Sequence, residues 1–391
     1  MPPVRNCAGR NSATPEHRKT IKLKRNLMQV LYFTERDTPH DRRFLQALSG
    51  TPHQVFALRQ LACLPETPHG VMELDWPEGT PNWSGWKGWQ AGAAQLKGLL
   101  AQVQPALVHA GPVQGPALIT ALAGFHPLVT MSWGSDLLLR AARSPWMRHA
   151  TRFVLEHTDI FLGDCQTVAD QAVRFGMDAE RIEIFPWGVD LEHFSPSNAR
   201  QAGKTWRRTL GWEDQFVILC NRTWARLYGV DLLAKAFVKA ARQDKRLRLL
   251  LAGDGPQAEL IHEILTPVGD RVHFPGWLNR EDLPGAYGAA DLYVSPSHCD
   301  GSSISLLEAL AGGLPALVSD IPANREWVVP GEVGALFKDG DMESFVSQMI
   351  EMASNAHLSA YGRRARALAE SRADWDQNFR RCLAAYHRAI G

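Results

Sequence analysis

Two carboxylates enclose a short run of small polar residues in the last third of the chain. Asp300 precedes Ser302 and Ser303, and Glu308 follows within the apolar sequence ISLLEALA. Either serine suits the N-cap of a helix, because its hydroxyl can accept from the unpaired amides of the first turn. The glycines and the proline that follow are helix stop signals. We therefore predict a helix over residues 303–311.

Glu308 is the only ionisable side chain between residues 301 and 319, so the predicted helix should be buried on nearly all sides. A buried carboxylate is costly without a partner, and Glu308 should therefore accept a hydrogen bond. The eight residues from Asp300 to Glu308 span roughly 12 Å of helix, and helix amides that can bind an anion lie between the acids. This spacing suits one extended ligand, with a ribose at Glu308, phosphates at the amides of residues 302–304 and a sugar near Asp300. A buried helix whose glutamate is satisfied by the backbone is the alternative.

The first acid, the seven residues after it and the glutamate within LLEALAGGLPALVS resemble the E-x7-E signature of family 4 retaining glycosyltransferases. The resemblance is strong over residues 181–337 and weak in the first half of the chain. It implies the GT-B fold, an α/β architecture in which two Rossmann-like domains face each other with parallel sheets across a cleft. It also implies a C-terminal helix that crosses back to the first domain. Asp300 replaces the usual glutamate, which leaves the donor sugar open.

Cations are needed to bind the diphosphate of a nucleotide-sugar. Arg222 directly follows the predicted strand FVILC, and its guanidinium fork suits phosphate oxygens. The resembled family has a lysine six residues later, where this chain has Tyr228. Arg226 is the nearest cation, and we expect it to substitute; an exposed loop charge is the alternative.

The first domain carries the sequence WGSD after a predicted strand, at a position where α/β proteins place ligands. Trp133 stands where the resembled family commonly has a histidine beside the donor sugar, which removes a titratable group. Asp136 matches the family aspartate, although it could equally be the N-cap of the following helix.

The predicted site comprises catalytic and donor-binding residues. The predicted catalytic residues are Asp300, Arg222 and Asp136. The predicted donor-binding residues are Arg222, Arg226, Gly253, Trp277, Gly301, Ser302, Ser303, Ile304 and Glu308, with Gly253 and Trp277 placed near the base. We expect no metal and no cofactor beyond a UDP- or GDP-linked donor substrate, because arginine and helix amides can stabilise the leaving diphosphate.

The length of 391 residues and the alternation of apolar strands with helices predict two α/β domains. The expected division is a disordered basic tail over 1–27, an acceptor-side domain over 28–196 that includes the helix 375–391, and a nucleotide-sugar domain over 197–374. Residues 197–204 are polar without periodicity and are predicted to be the linker. Residues 35–43 are predicted to be a charged loop that faces the cleft and precedes a helix from Phe44.

Composition limits the partners of the protein. The formal net charge of +1 gives no reason to expect nucleic acid, and six scattered cysteines indicate a reducing, cytoplasmic setting. A basic helical region over 140–152 is expected to be a solvated face, with peripheral attachment to an anionic membrane as the alternative.

Trp83, Trp86 and Trp89 recur every third residue and are expected to pack on the sheet, with an aromatic acceptor platform as the alternative.

The resemblance implies transfer of a sugar from a nucleotide-diphosphate-sugar to a hydroxyl acceptor, with retention of configuration. The acceptor would be a glycan or a lipid-linked molecule of envelope or polysaccharide biosynthesis. The alternatives are a GT-B epimerase or phosphorylase and a non-catalytic nucleotide-sugar binder. A nicotinamide dehydrogenase is a weak option, because the first strand is followed by ERDTPHDRR rather than by a glycine-rich loop.

Overall fold

Two parallel sheets, each in its own α/β domain, form the frame of the protein. A computed structural model describes residues 28–63 and 66–391, so the predicted basic tail lies outside the described residues. Within that part of the chain the first sheet has the order β3-β2-β1-β4-β5-β6-β7 and the second has the order β10-β9-β8-β11-β12-β13. The prediction of two Rossmann-like domains is confirmed.

The strands are short and almost continuously apolar, as expected for strands that helices cover on both faces. The strands of the first sheet are β1 Gln29–Thr34, β2 Gln54–Arg59, β3 Val71–Leu74, β4 Leu107–Gly111, β5 Leu128–Met131, β6 Ile160–Gly163 and β7 Ile182–Ile184. Those of the second sheet are β8 Phe216–Cys220, β9 Leu247–Leu251, β10 Val272–His273, β11 Leu292–Ser295, β12 Ala316–Ser319 and β13 Gly334–Phe337.

Helices of 4 to 19 residues connect the strands. Those of the first half are α1 Pro39–Ser49, α2 Gly85–Val103, α3 Leu118–Ala123, α4 Pro145–Glu156 and α5 Gln166–Arg174. Those of the second half are α6 Pro196–Leu210, α7 Val230–Gln243, α8 Ala258–Leu265, α9 Leu283–Ala289, α10 Ile304–Ala311, α11 Pro322–Arg325, α12 Met342–Ala353, α13 Leu358–Arg372 and α14 Trp375–Ile390. None of the helices in these described ranges combines the length and the hydropathy that crossing a bilayer would require.

The prediction of a charged loop over residues 35–43 is wrong for its second half. Helix α1 begins at Pro39 because Thr38 caps it: the Thr38 side chain accepts from the Asp41 amide, and the Asp41 carboxylate accepts from the Thr38 amide. Asp41, Arg42 and Arg43 therefore lie on a fixed helical turn, whereas Glu35, Arg36 and Asp37 precede it.

The predicted linker is helical as well. Residues 197–204 belong to α6, which starts after the N-cap Ser195 and packs closely on α9. Glycines allow the approach, since a Cβ on Gly203 would lie 2.1 Å from the backbone carbon of Gly288 and one on Gly288 would lie 1.8 Å from the Ala199 carbonyl oxygen. Sequence periodicity missed this helix because its contact surface is made of small residues.

The chain crosses between the domains twice, and the crossings bond to each other. The Val189 amide donates to the Ala373 carbonyl at 2.7 Å, and the Trp375 amide donates to the Val189 carbonyl at 3.1 Å. Helix α14 then packs on the first sheet, where the Tyr386 hydroxyl lies 2.5 Å from Nδ1 of His109. The predicted crossing of the C-terminal helix is confirmed, although the helical segment is broken between α13 and α14.

The predicted stripe of tryptophans is divided between two environments. Trp83 and Trp89 pack together, with 5.6 Å between their ring centroids, and contact the core of the first domain. Trp86 is instead 47% exposed and lies against Trp146, which is 45% exposed. The expectation of packing on the sheet therefore fails for Trp86.

We expect Gly288→Ala to destabilise the protein by about 2 kcal/mol or more, because the added methyl group meets backbone atoms of α6 that cannot rotate away. Urea unfolding followed by circular dichroism measures the effect. Gly98→Ala is the matched control: the Gly98 Cβ would meet open space within α2, so it should stabilise by about 0.5–1 kcal/mol. Equal effects of the two substitutions would contradict the close contact of α6 with α9.

Candidate active site

A cleft of about 2070 Å³ separates the carboxyl ends of the two sheets. In the second domain it opens beside β8 and β11, which are neighbours although they are not consecutive in the chain. Strand order reverses at this point, and helices from both sides diverge to leave a crevice. Residues after β8 and after β11 therefore meet there.

Arg222 lies at the centre of that meeting point. Its guanidinium donates to Asp300 Oδ2 at 2.6 Å and to the hydroxyls of Ser303 and Ser305 at 2.6 and 3.0 Å. The guanidinium also lies over the ring of Tyr228, 4.4 Å from its centroid. These contacts hold a positive charge at the start of α10.

The start of α10 is open to a ligand. Ser303 occupies the N-cap position as predicted, but its hydroxyl accepts from Arg222 and makes no capping hydrogen bond to the helix. The first amides of the helix are consequently left uncapped by this side chain, and amides in that position favour an anion.

Glu308 has the partner that its burial requires. Its carboxylate accepts from the hydroxyl of Tyr287 at 2.7 Å, and that hydroxyl also accepts from the Asn221 amide group at 2.8 Å. Burial raises the pKa of Glu308 to about 7, although the Tyr287 hydrogen bond and the charge of Arg43 oppose the shift. Glu308 lines the cleft, and its separation of eight positions from Asp300 corresponds to roughly 12 Å of helix.

The first domain contributes two residues from α1 that the sequence did not single out individually. Arg43 donates to the Gly188 carbonyl at 2.8 Å and lies over the Trp375 ring at 3.9 Å, while burial lowers its pKa to about 10. His40 lines the cleft near Trp133, and burial together with the charges of Arg43 and Arg222 lowers its pKa to about 4. Its imidazole is therefore neutral near pH 7. The high density of charged residues over 35–43 was the sequence feature that could have indicated these two residues.

Asp164, which follows β6, is a further residue that the sequence analysis missed. Its carboxylate reaches across the cleft and accepts from the Ser302 amide at 2.7 Å, while its carbonyl accepts from the Ser302 hydroxyl at 2.8 Å. Asp164 is only 5% exposed. No local motif marked it, because its partner lies 138 residues away in the other domain.

Most of the predicted donor-binding residues share one wall of the cleft. These are Arg222, Gly253, Trp277, Gly301, Ser302, Ser303, Ile304 and Glu308, together with Asp300. Trp277 is 66% exposed and stands at the rim.

Arg226 does not join this wall. It is exposed in a short turn over Arg226–Tyr228 and does not line the cleft. Tyr228, at the other end of the turn, lines the cleft instead. The next residue, Gly229, has φ 61° and packs closely against the Pro296 carbonyl, which fixes the turn. The prediction that Arg226 replaces the family lysine is corrected for this reason.

Asp136 also has a different position from the one predicted. It is 2% exposed, and its carboxylate accepts from the Val113 amide at 2.9 Å, the Trp133 amide at 2.9 Å and the Ser132 hydroxyl at 2.7 Å. Because both oxygens are engaged and the residue does not line the cleft, we assign Asp136 the role of positioning the loop that carries Trp133.

Family profiles match the sequence of both domains, and solved structures share the fold. The family profile described as "Glycosyl transferase 4-like" matches residues 29–166, and the profile "Glycosyl transferases group 1" matches residues 214–355. HepE from Anabaena, solved in complex with UDP and glucose, superimposes with a TM-score of 0.75 at 18% identity over 92% of this chain and 99% of its own. The chain belongs to the glycosyltransferases of the GT-B fold.

Two curated relatives match part of the chain. A GDP-mannose-dependent monoacylated alpha-(1-6)-phosphatidylinositol monomannoside mannosyltransferase of Corynebacterium glutamicum is 30% identical over 205 residues, which is 50% of this chain and 53% of that protein. A D-inositol 3-phosphate glycosyltransferase of Geodermatophilus obscurus is 29% identical over 249 residues, which is 60% of this chain and 54% of that protein. The chain thus aligns with about half the length of each relative.

The raised pKa of Glu308 predicts how stability depends on pH. Near pH 5 the folded protein holds a proton on Glu308 that the unfolded chain, with a pKa of about 4.3, largely lacks. As pH rises through about 7, this contribution to stability is lost. Glu308→Gln cannot lose stability in this way, because its amide does not titrate. Between pH 5 and pH 8 the free energy of unfolding of the variant should therefore rise relative to that of the parent by on the order of 2 kcal/mol. Urea unfolding at the two pH values tests this, and an unchanged difference would contradict the shifted pKa.

Proposed function

We propose that the protein is a retaining glycosyltransferase that moves a sugar from a nucleotide-diphosphate-sugar to a hydroxyl group of a glycan or lipid-linked acceptor. The observation that carries the proposal is the contact of Arg222 with Asp300 and Ser303 at the open N-terminus of α10. A fixed cation and helix amides that the N-cap side chain does not cap suit a diphosphate, because both stabilise negative charge without rearranging.

The donor would lie along this wall in an extended form. Glu308 is suited to the ribose hydroxyls, since its carboxylate lines the cleft and retains acceptor capacity beside Tyr287. The diphosphate would contact Arg222 and the amides of α10, and the sugar would lie towards Asp300. Gly253 and Trp277 are then in position to contact the base at the rim.

The residues of the cleft would favour transfer by stabilising the departing nucleoside diphosphate. As the bond from the sugar to the diphosphate breaks, negative charge develops on the leaving oxygen, and Arg222 with the helix amides can neutralise part of it. We expect this to proceed without a bound metal, so that chelation with EDTA leaves turnover unchanged. Retention of configuration is carried over from the resembled family.

The names of similar proteins narrow the donor and the acceptor. The Corynebacterium relative is named for GDP-mannose and a phosphatidylinositol mannoside, and HepE was solved with UDP and glucose. UDP- and GDP-linked sugars are therefore the first donors to test. The acceptor would enter from the side of α1, where His40 and Arg43 line the cleft, and a role in envelope or polysaccharide synthesis fits such an acceptor.

Arg222→Ala and Glu308→Ala should each weaken binding of the nucleotide-sugar, Arg222→Ala by roughly 10- to 150-fold, since hydrogen bonds to charged groups are worth about 1.5–3 kcal/mol. Calorimetry with UDP-glucose and GDP-mannose measures this, after a thermal-shift panel of nucleotide-sugars has identified the donor. Arg226→Ala is the control, because Arg226 is a nearby arginine that does not line the cleft, and it should bind as the parent does.

Three outcomes would contradict this proposal. One is a folded parent for which neither Arg222→Ala nor Glu308→Ala changes the affinity for any nucleotide-sugar. Another is conversion of the donor to an epimer in the absence of an acceptor, which would favour an epimerase. Binding without turnover across glycan and lipid acceptors would favour a non-catalytic binder.

An exposed apolar and basic surface supports peripheral contact with an anionic membrane. Trp86 and Trp146 are exposed with 5.7 Å between their ring centroids, and Leu139 is 45% exposed. Four exposed arginines lie on α4 and in the segment before it: Arg140, Arg143, Arg148 and Arg152. Aromatic rings at the interface beside cations are typical of proteins that lie on anionic lipid.

Replacing both Trp86 and Trp146 with alanine should reduce binding to phosphatidylglycerol vesicles by about tenfold or more, because the pair supplies buried apolar area in the lipid interface. Vesicle sedimentation at low and high salt measures it, and binding should fall as salt screens the arginines. Ile390→Ala is the matched control, since Ile390 is also exposed but belongs to α14, which covers the opposite face of the first sheet. Equal losses in both variants, or no binding by the parent, would contradict the membrane contact.

A further inference from the structure

Arg43 is a half-buried cation on the wall of the cleft that the first domain contributes. Its guanidinium donates to the Gly188 carbonyl at 2.8 Å, and its Cζ atom lies 3.9 Å from the centroid of the Trp375 ring. Within residues 28–63 and 66–391 this guanidinium forms no ion pair with a carboxylate. A carbonyl and an aromatic face offset only part of the cost of taking a charge out of water.

Two other arginines with nearly buried side chains do have a carboxylate partner. Arg222 lies 2.6 Å from Asp300, and Arg59 lies 3.3 Å from Asp37. Arg43 departs from the pattern that these two residues follow. Because an unpaired charge is costly when it is shielded from water, a cation kept in this state on the wall of a cleft indicates that its anionic partner belongs to a ligand.

The acids around Arg43 do not fill that role. Burial lowers the pKa of Arg43 to about 10, and the acids that oppose this fall lie beyond ion-pair distance: Glu308, Asp190 and Asp376. Asp190 is itself paired with Arg280 at 2.6 Å, and Glu308 accepts a hydrogen bond from a tyrosine. Arg43 is therefore charged near pH 7 and lacks a close anion.

His40, three residues earlier on α1, lines the same cleft. Burial, together with the charges of Arg43 and Arg222, keeps its imidazole neutral near pH 7, so the ring offers one donor and one acceptor. The capping box of Thr38 and Asp41 fixes the helical turn that carries both residues. A fixed cation and a neutral imidazole suit a ligand that has both an anionic group and hydroxyl groups.

The position of Arg43 indicates which anion it would meet. The proposed function places the diphosphate of the donor at Arg222 and the start of α10, on the wall of the second domain. Arg43 lies on the opposite wall, held by Gly188 and Trp375, on the side of α1 from which the acceptor would enter. A guanidinium fork matches two oxygens of one phosphate, so a phosphate group on the acceptor fits this position.

We propose that the acceptor carries a phosphate group and that Arg43 binds this group from the first domain. The inference rests on the proposed function and names the class of its acceptor, a phosphate-bearing sugar or polyol. A free sugar phosphate and the headgroup of a phospholipid share this chemistry. In both cases the phosphate contacts α1 while the diphosphate of the donor contacts α10.

The test uses the full chain with UDP or GDP, whichever it binds, at saturating concentration. Isothermal calorimetry compares inositol 3-phosphate with inositol and glucose 6-phosphate with glucose. The parent should bind at least one of the phosphates about tenfold or more tightly than its uncharged counterpart, and Arg43→Gln should bind that phosphate roughly 10- to 150-fold more weakly than the parent, because hydrogen bonds between charged groups are lost. Phosphatidylinositol in bicelles is titrated in parallel, and preference for it over inositol 3-phosphate would assign the phosphate to a lipid headgroup.

Arg42→Gln is the matched control. Arg42 is the next residue along α1 and also lines the cleft, but it donates to Asp37 at 2.7 Å and pairs with Glu66. The substitution removes the same charge from the same turn and should leave phosphate binding within about twofold of the parent. Arg43→Lys keeps the charge without the planar fork and should lie between the parent and Arg43→Gln. Thermal melting verifies that each variant is folded.

Each result decides the role of Arg43. Selective loss of phosphate binding in Arg43→Gln, with unchanged affinity for UDP or GDP, would establish it. Equal loss of the nucleotide would assign Arg43 to the donor, and equal loss in Arg42→Gln would indicate only a general effect of charge; both would overturn the inference. A parent that binds nucleotides but prefers no phosphate to its uncharged counterpart would also overturn it and leave the proposed function standing. A folded parent that binds neither nucleotides nor nucleotide-sugars would overturn both.

Discussion

The hydrogen bonds of Arg222 to Asp300, Ser303 and Ser305 are the interaction on which the site depends. Arg222 follows β8 and Asp300 follows β11, and these strands are neighbours only because the sheet reverses its order between them. The ion pair is nearly buried, with side-chain exposures of 12% and 19%. A buried charge is tolerated when it is paired, and here the pair stands at the uncapped start of α10.

Buried carboxylates extend the same principle along the cleft. Glu308 accepts from the Tyr287 hydroxyl, and Asp164 accepts from the Ser302 amide of the other domain. Both groups have a raised pKa because burial disfavours their charged forms. In the proposed function such groups would accept hydrogen bonds from the hydroxyls of the ligand, which suits carboxylates that are already desolvated in the folded protein.

The two domains are positioned by a small number of specific contacts. The two chain crossings are hydrogen-bonded to each other at Val189 and Trp375, and α14 fastens the end of the chain to the first sheet. Across the cleft, Asp164 meets Ser302 and Glu326 caps the start of α5. The wall contributed by the first domain, with His40 and Arg43, is thus held opposite the wall that carries Arg222 and Glu308.

Sequence alone determined the alternation of strands and helices, the helix that follows Ser303, the half-buried glutamate within it and the position of Arg222 after β8, because each is encoded in local periodicity, capping or composition. It failed where contacts outside the local segment decide: α6 depends on glycine contacts with α9, Tyr228 rather than Arg226 lines the cleft, and Asp136 is engaged by the loop at Val113. Asp164, His40 and Arg43 were found only in three dimensions. Local sequence specifies backbone conformation and burial, whereas the direction and partners of a side chain in a cleft between two domains are set by residues distant in the chain, such as Ser302 for Asp164 and Gly188 for Arg43.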